Sequence, residues 1–182
     1  MIHLVIGGSG SGKSAYAERF ALACRRNDRK LFYLATMAPI GREAERRIER
    51  HRKMREGLGF ETIEMQRSIG DLADSNDIKG SVILLESLSD LLANELFEPD
   101  GSMNDTDTVG TRIFSEIMKL DEETEDIIIV SDDIFRDGIG YTGETDRYME
   151  ILGKIHIWIA EASETVTEVI CGIPRARKGG MK

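Results

Sequence analysis

Gly7-Gly8-Ser9-Gly10-Ser11-Gly12-Lys13-Ser14 follows a short apolar run, Ile2-His3-Leu4-Val5-Ile6, and precedes a helix-like stretch over residues 15–25. The eight residues satisfy G-x-x-x-x-G-K-[ST], the phosphate-binding P-loop. Each residue type has a reason. Glycines let the backbone turn with positive φ and bring its N–H groups up to phosphate oxygens. Lys13 supplies a point charge at the β/γ end, the Ser14 hydroxyl suits Mg²⁺, and a helix starting there aims its positive end at the anion. A Gly/Ser turn that merely joins a strand to a helix is the alternative, and the strand–loop–helix context argues against it.

Working outward, strand-like and helix-like segments alternate. Residues 30–36, 60–64, 81–85, 126–131 and 165–171 read as strands. Residues 13–25, 41–56, 88–96, 109–120 and 144–162 read as helices, with a helical turn at 69–73 and a Pro/Gly/Asp-rich loop over 98–108. The runs Val82-Ile83-Leu84-Leu85 and Ile127-Ile128-Ile129-Val130 are continuously apolar, as parallel strands covered on both faces are. In the last helix Tyr148, Ile151, Leu152, Ile155, Ile159 and Ala162 form a stripe at helical spacing. The fold class expected is α/β: a P-loop (RecA-like), mostly parallel sheet with helices on both faces.

The 182 residues suit a single nucleotide-binding domain over 1–182, with a basic tail, 175–182, expected to fray. A net charge of −9 argues against general nucleic-acid binding. The two cysteines, Cys24 and Cys171, are far apart and read as small buried apolar residues in a reduced compartment. The chain opens directly on a strand and P-loop and has no apolar run of transmembrane length, so a cytoplasmic protein with no membrane insertion is expected.

Ligands of open α/β sheets sit at the carboxyl ends of the strands. There the sequence places Thr36, Glu86 and Ser131-Asp132-Asp133. Glu86 and Asp132 each suit a role near Mg²⁺, or alternatively cap the following element. The charged segment GREAERRIERHRKMREG (41–57) carries a narrow inward stripe of Ala44, Ile48, His51 and Arg55, flanked by Arg47 and Arg50. Imidazole can act as a nucleophile toward phosphorus. A solvated histidine on a salt-bridged helix is the plainer reading of His51. His3 reads as a hydrogen-bonded core histidine, His156 as partly solvent-facing, and Trp158 as packing.

In order along the chain, GGSGSGKS is joined by Tyr33-Leu34-Ala35-Thr36, by Arg47-Ile48-x-x-His51-Arg52-x-x-Arg55, by Thr62-x-Glu64 and by Ile83-Leu84-Leu85-Glu86-Ser87-Leu88. Asn94-Glu95-Leu96-Phe97, Leu152-Gly153-x-Ile155 with Ala160, and Val169-x-x-Gly172-Ile173-Pro174 follow. With these blocks the chain resembles the bifunctional adenosylcobinamide kinase / adenosylcobinamide-phosphate guanylyltransferase family of cobalamin nucleotide-loop assembly. The resemblance implies a homotrimer that uses GTP or ATP with Mg²⁺. It implies phosphorylation of the aminopropanol hydroxyl of adenosylcobinamide, then transfer of GMP to adenosylcobinamide phosphate through a GMP adduct on the histidine matching His51. It also implies nucleotide contacts at Gly7, Gly8, Ser9, Gly10, Ser11, Gly12, Lys13 and Ser14, at Thr36, Met37 and Ala38, at Arg52, Lys53, Met54 and Arg55, and at Glu64 and Glu86. Lys13 joins His51 as a catalytic residue, and Ser14 is the metal contact.

The chain departs from the family pattern in three places. Glu56-Gly57 follows Arg55 where many members carry Arg-Pro. Ser131 to Gly140 replaces an Asn-Glu-Val-Gly stretch, and a family Arg-x-Phe-Arg-Asp block is reduced to Asp146-Arg147-Tyr148. Two other readings stand beside the resemblance: a simple P-loop small-molecule kinase with no covalent step, and a non-catalytic GTP-binding regulator. The absence of an N-K-x-D-like motif counts against the second.

Overall fold

A computed structural model describes residues 1–26, 29–39, 41–136 and 140–179; at positions 43–45, 47 and 54 it describes the backbone only. The elements in chain order are β1 (Ile2–Gly7), α1 (Lys13–Cys24), β2 (Leu31–Ala35), α2 (Arg42–Arg55), β3 (Glu61–Glu64), β4 (Val82–Leu85), α3 (Leu88–Leu96), α4 (Thr106–Glu123), β5 (Asp126–Asp132), α5 (Glu144–Ala162), β6 (Thr165–Ile170) and β7 (Ile173–Lys178). Two 3₁₀ turns, Ile69–Asp74 and Asn76–Ile78, lie between β3 and β4.

The strands form one sheet in the order β3-β2-β4-β5-β1-β6-β7, parallel except for the β6–β7 hairpin. Strand alternation divides the core in two. Ile2 and Leu4 join Ile127 and Ile129 and the apolar stripes of α3, α4 and α5 on one face. Val5, Tyr33, Leu84 and Ile128 join Ala17 and Ala21 of α1 on the other. The central strands bury both sets of side chains, which is why they read as unbroken apolar runs. The α/β architecture with a mostly parallel sheet is the one the sequence implied. Among the described residues no helix is long and apolar enough to cross a membrane.

Four expectations are corrected. The tail does not fray over 175–179: residues 173–178 form β7, antiparallel to β6, with Glu168 opposite Arg175 and Val169 opposite Pro174. The reason is a two-residue turn, Cys171-Gly172, with φ of 50° and 77°, the twist that closes tight hairpins. Residues 180–182 lie outside the described residues. Cys171 is consequently exposed at that turn, while Cys24 is half-buried. His156 is buried, its Nε2 2.7 Å from Ser131 Oγ. Finally, α4 starts three residues earlier than its apolar periodicity suggested, because Asp105 caps it by accepting from Thr108 N–H.

Register positions the site. Gly7, the first residue of the P-loop, lies directly beside Asp132 at the end of β5, and Leu34 of β2 lies beside Leu85 of β4. The residues that follow these strands therefore meet along one edge of the sheet, at its carboxyl end.

Candidate functional site

The P-loop connects β1 to α1 as the motif requires. Gly10 and Gly12 adopt φ of 69° and 88°, a region glycine enters without strain, and Gly12 is the residue before the first turn of α1. The loop is held from outside by the β6–β7 turn, where Gly172 N–H donates to Ser11 carbonyl at 2.7 Å. A Cβ on Gly7 would come within 2.5 Å of Ser11 Oγ and 2.7 Å of the Val169 carbonyl oxygen, so the loop's entry admits no side chain. Ser11 Oγ is buried with no hydrogen-bond partner among the described residues.

Lys13 is buried, with Nζ 2.5 Å from Asp132 Oδ1 and 3.2 Å from the Gly8 carbonyl. The other Asp132 oxygen accepts from Ser89 Oγ at 3.0 Å. Asp132 thus neutralises the P-loop lysine, a contact that the sequence reading, which left Asp132 between a role near Mg²⁺ and a cap, did not include. Ser14, half-buried on the first turn of α1, with Asp132 and Ser89, makes an all-oxygen donor set of the kind Mg²⁺ takes, so these residues fit that ion. At the opposite ends of β1 and β5, His3, Cys24 and Asp126 gather within 4.8 Å. There His3 is hydrogen-bonded to both Thr165 and Asp126, the core histidine its position suggested.

The second cluster lies beneath α2. His51 and Arg55, the buried end of the helix's inward stripe, close a cavity of ≈190 Å³ over the ends of β2, β3 and β4, with Tyr33, Gln66 and Glu86 on its walls. Ala44 and Arg47, also part of that reading, have side chains outside the described residues. Tyr33 OH is 3.3 Å from His51 Nδ1, and Glu86 Oε1 is 3.5 Å from the same nitrogen. The Arg55 guanidinium carbon stacks 3.2 Å from the centre of the Tyr33 ring. Burial raises the Glu86 carboxyl above its ordinary range, offset by hydrogen bonds from Tyr33 and Met37 N–H and by the Arg55 charge. Burial, then the Glu86 charge, pushes the Tyr33 phenol above its usual value. Glu18, one turn beyond Ser14 on α1, is also raised by burial and feels both Arg55 and Glu86.

This arrangement has a definite chemical capacity. When the Tyr33 hydroxyl donates to the Glu86 carboxylate, its oxygen accepts from His51 Nδ1–H, which puts the imidazole lone pair on Nε2. A carboxylate near Nδ1 stabilises the imidazolium formed when Nε2 attacks an electrophile, the logic by which a third group orients a base or nucleophile.

The other residues singled out divide plainly. Met37 is buried and gives its N–H to Glu86; Ala38 is half-buried. Thr36 is fully buried and serves as a strut: its hydroxyl donates to Ser87 carbonyl at 2.8 Å, and its own carbonyl accepts from Asn94 at 2.8 Å. Arg52 pairs with Glu64 on the cavity's exposed rim, and Lys53, exposed and outside the cavity lining, pairs with the rim residue Glu49 at 2.9 Å. The Met54 side chain is outside the described residues. Tyr33 and Glu18 were not among the expected site residues. Tyr33 stood inside the Y-L-A-T block, where its role as a buried strand residue hid that of its hydroxyl.

Comparison with known proteins bears on this geometry. A family model described as cobinamide kinase / cobinamide phosphate guanyltransferase matches residues 3–176. The chain is 31% identical over 182 residues to the bifunctional adenosylcobalamin biosynthesis protein CobP of Pseudomonas aeruginosa, covering 98% of each chain. It is 27% identical over 184 residues to the bifunctional adenosylcobalamin biosynthesis protein CobU of Escherichia coli K12, covering 95% of this chain and 97% of that one. Among solved structures, the flagellar accessory protein FlaH of Methanocaldococcus jannaschii superposes with a TM-score of 0.52 at 14% identity over 99% of this chain and 79% of its own, a likeness of fold alone.

Proposed function

We propose a two-stage reaction for this chain, which belongs to the cobinamide kinase / cobinamide phosphate guanyltransferase family. In the first stage the hydroxyl of a cobinamide side arm takes the γ-phosphoryl group of a nucleoside triphosphate. In the second, His51 Nε2 attacks the α-phosphorus of GTP. A P–N bond forms, the bond to the bridging oxygen breaks, and pyrophosphate leaves. A phosphate oxygen of the phosphorylated acceptor then attacks the same phosphorus, the P–N bond breaks, and GMP is transferred while His51 is regenerated.

Splitting the transfer into two displacements requires a group that is both nucleophile and leaving group, and imidazole is both. Lys13, once its partner Asp132 releases it, offsets charge on the β/γ phosphates, and Ser14 with Asp132 would hold Mg²⁺. That ion would neutralise phosphate charge when bound. Arg55 supplies fixed positive charge in the histidine cavity. A preorganised donor of this kind contributes about 10²- to 10³-fold in rate where one has been removed from an enzyme. The same reading carries a cytoplasmic homotrimer.

The observation that carries the proposal is His51 itself. On a helix whose neighbouring side chains Arg50, Arg52 and Lys53 face water, it is buried against a tyrosine and a carboxylate. The test is to incubate protein and Mg²⁺ with GTP labelled at the α-phosphate and, in parallel, at the γ-phosphate, then denature and count label on the chain. An acid-labile, base-stable α-label that disappears in His51→Asn is expected. No α-label, together with cobinamide-dependent γ-transfer, would reduce the protein to a plain kinase.

A further inference from the structure

A cavity of ≈490 Å³ opens beside the P-loop, walled by Ser9, Asp132, Asp133, Tyr148 and Met149 with Arg136 on its rim. We infer that it seats the hydroxyl-terminated arm of the acceptor during phosphoryl transfer, an inference that rests on the reading above. Three observations carry it.

The first is position. The cavity shares Ser9 with the P-loop, and its floor includes Asp132, the partner of Lys13. A molecule seated there ends where the lysine meets the β/γ end of a nucleotide. It also approaches from the sheet face opposite to His51's surroundings. Tyr148 packs against the core formed with α3, α4 and α5, whereas Tyr33 belongs to the core on the α1 face. An acceptor can therefore enter without displacing the α2 cavity.

The second is charge. Arg136 is bound to Asp133 at 2.8 Å and to Glu168 at 2.8 Å, so its cation is compensated. The remaining ionised groups on the wall are carboxylates. Asp132 is itself paired with Lys13 and Asp133 with Arg136, so the described wall offers a phosphate dianion no uncompensated cation, whereas an uncharged alcohol finds oxygens to accept its O–H. The step balances: the alcohol oxygen bonds to the γ-phosphorus and the β,γ-bridging bond breaks. The nucleoside diphosphate leaves with the electron pair, and the hydroxyl proton is released to solvent.

The third is preformation. The Tyr148 ring is fixed at both ends, its hydroxyl donating to Ser89 carbonyl at 3.0 Å and its ring 6.4 Å from that of Phe97. The space holds a side arm and leaves a corrin ring at the mouth, where Thr145 is exposed.

The test compares the wild type with Met149→Trp and Thr145→Trp, substitutions that fill the cavity outside the nucleotide-holding residues. Cobinamide binding is measured by equilibrium dialysis, and His51 labelling by α-labelled GTP is measured in parallel. The expected result is cobinamide affinity lowered at least tenfold in Met149→Trp, with labelling at the wild-type rate showing the variant folded. Unchanged affinity in both variants overturns the inference, as does a wild type that does not bind cobinamide. Cobinamide binding that falls in the variants of a chain that never labels supports the acceptor cavity and instead removes the covalent step.

Discussion

Removing the hydroxyl of Tyr33 isolates the part of the site that orients His51. Tyr33→Phe keeps the ring, so the stacking of Arg55 at 3.2 Å and the edge contact with Phe60 at 6.0 Å survive. What is lost is one O–H that lies 3.3 Å from His51 Nδ1 and hydrogen-bonds Glu86. Leaving buried polar groups short of a partner costs about 1–3 kcal/mol of stability. In the reaction, His51 becomes cationic as Nε2 attacks, and a hydrogen bond to a charged group is worth about 1.5–3 kcal/mol. At about 1.4 kcal/mol per decade, that loss corresponds to labelling slowed roughly 10- to 100-fold. The assay is single-turnover transfer of α-labelled GMP to the protein at saturating GTP, at a temperature where denaturant curves show the variant folded. Stacking alone would leave the rate untouched. Wild-type labelling in folded Tyr33→Phe therefore refutes the reasoning and leaves Glu86, at 3.5 Å, as the partner that matters.

Two further predictions concern the frame around the site. Burial, opposed by the charges of Asp133 and Asp132, holds His156 at about 4 rather than 6.5. The folded state thus favours the neutral ring: its contribution is complete above pH 6.5 and is lost as the pH falls from 6.5 toward 4. The gap corresponds to about 3 kcal/mol. Urea midpoints at pH 7 and pH 4.5 should converge in His156→Gln relative to wild type, and identical pH dependence in the two proteins would contradict the assignment. Gly7→Ala forces a Cβ to within 2.7 Å of the Val169 carbonyl oxygen. Overpacking of this kind costs about 1–3 kcal/mol. Nucleotide affinity, measured by calorimetry, should drop at least tenfold, and a variant that binds as the wild type does would show that the loop entry can relax.

Much of the fold could be read from the chain because its signals are local. The P-loop announces itself through residue types that only a phosphate cradle needs in that order, and the bounds of α5 follow from a stripe at helical spacing. Ile127 to Val130 and Val82 to Leu85 declare central strands by having no polar face. β7 escaped because both of its faces are exposed, so Arg175, Arg177 and Lys178 carry no alternation to detect. His156 escaped because its burial depends on Ser131, distant in sequence and one layer away. The site divides the same way. Helical spacing aligned His51 with Arg55, and both are buried. The pairing of Lys13 with Asp132 and the bond from Tyr33 to His51 are products of tertiary register that spacing cannot express.

The outer flank of β7 has a consequence for how the chain behaves in a crowded solution. A terminal strand displays a row of unused N–H and C=O groups on which a foreign strand can template, the beginning of polymerisation. Here that row is interrupted by Pro174, which lacks an N–H, and is guarded by three cations, one of which, Arg177, is anchored to Glu168. An incoming strand would lose a rung at the proline and would have to strip water from the charges beyond it. The stretch that sequence alone dismissed as a loose basic end is, in the folded chain, a barrier against self-templated aggregation.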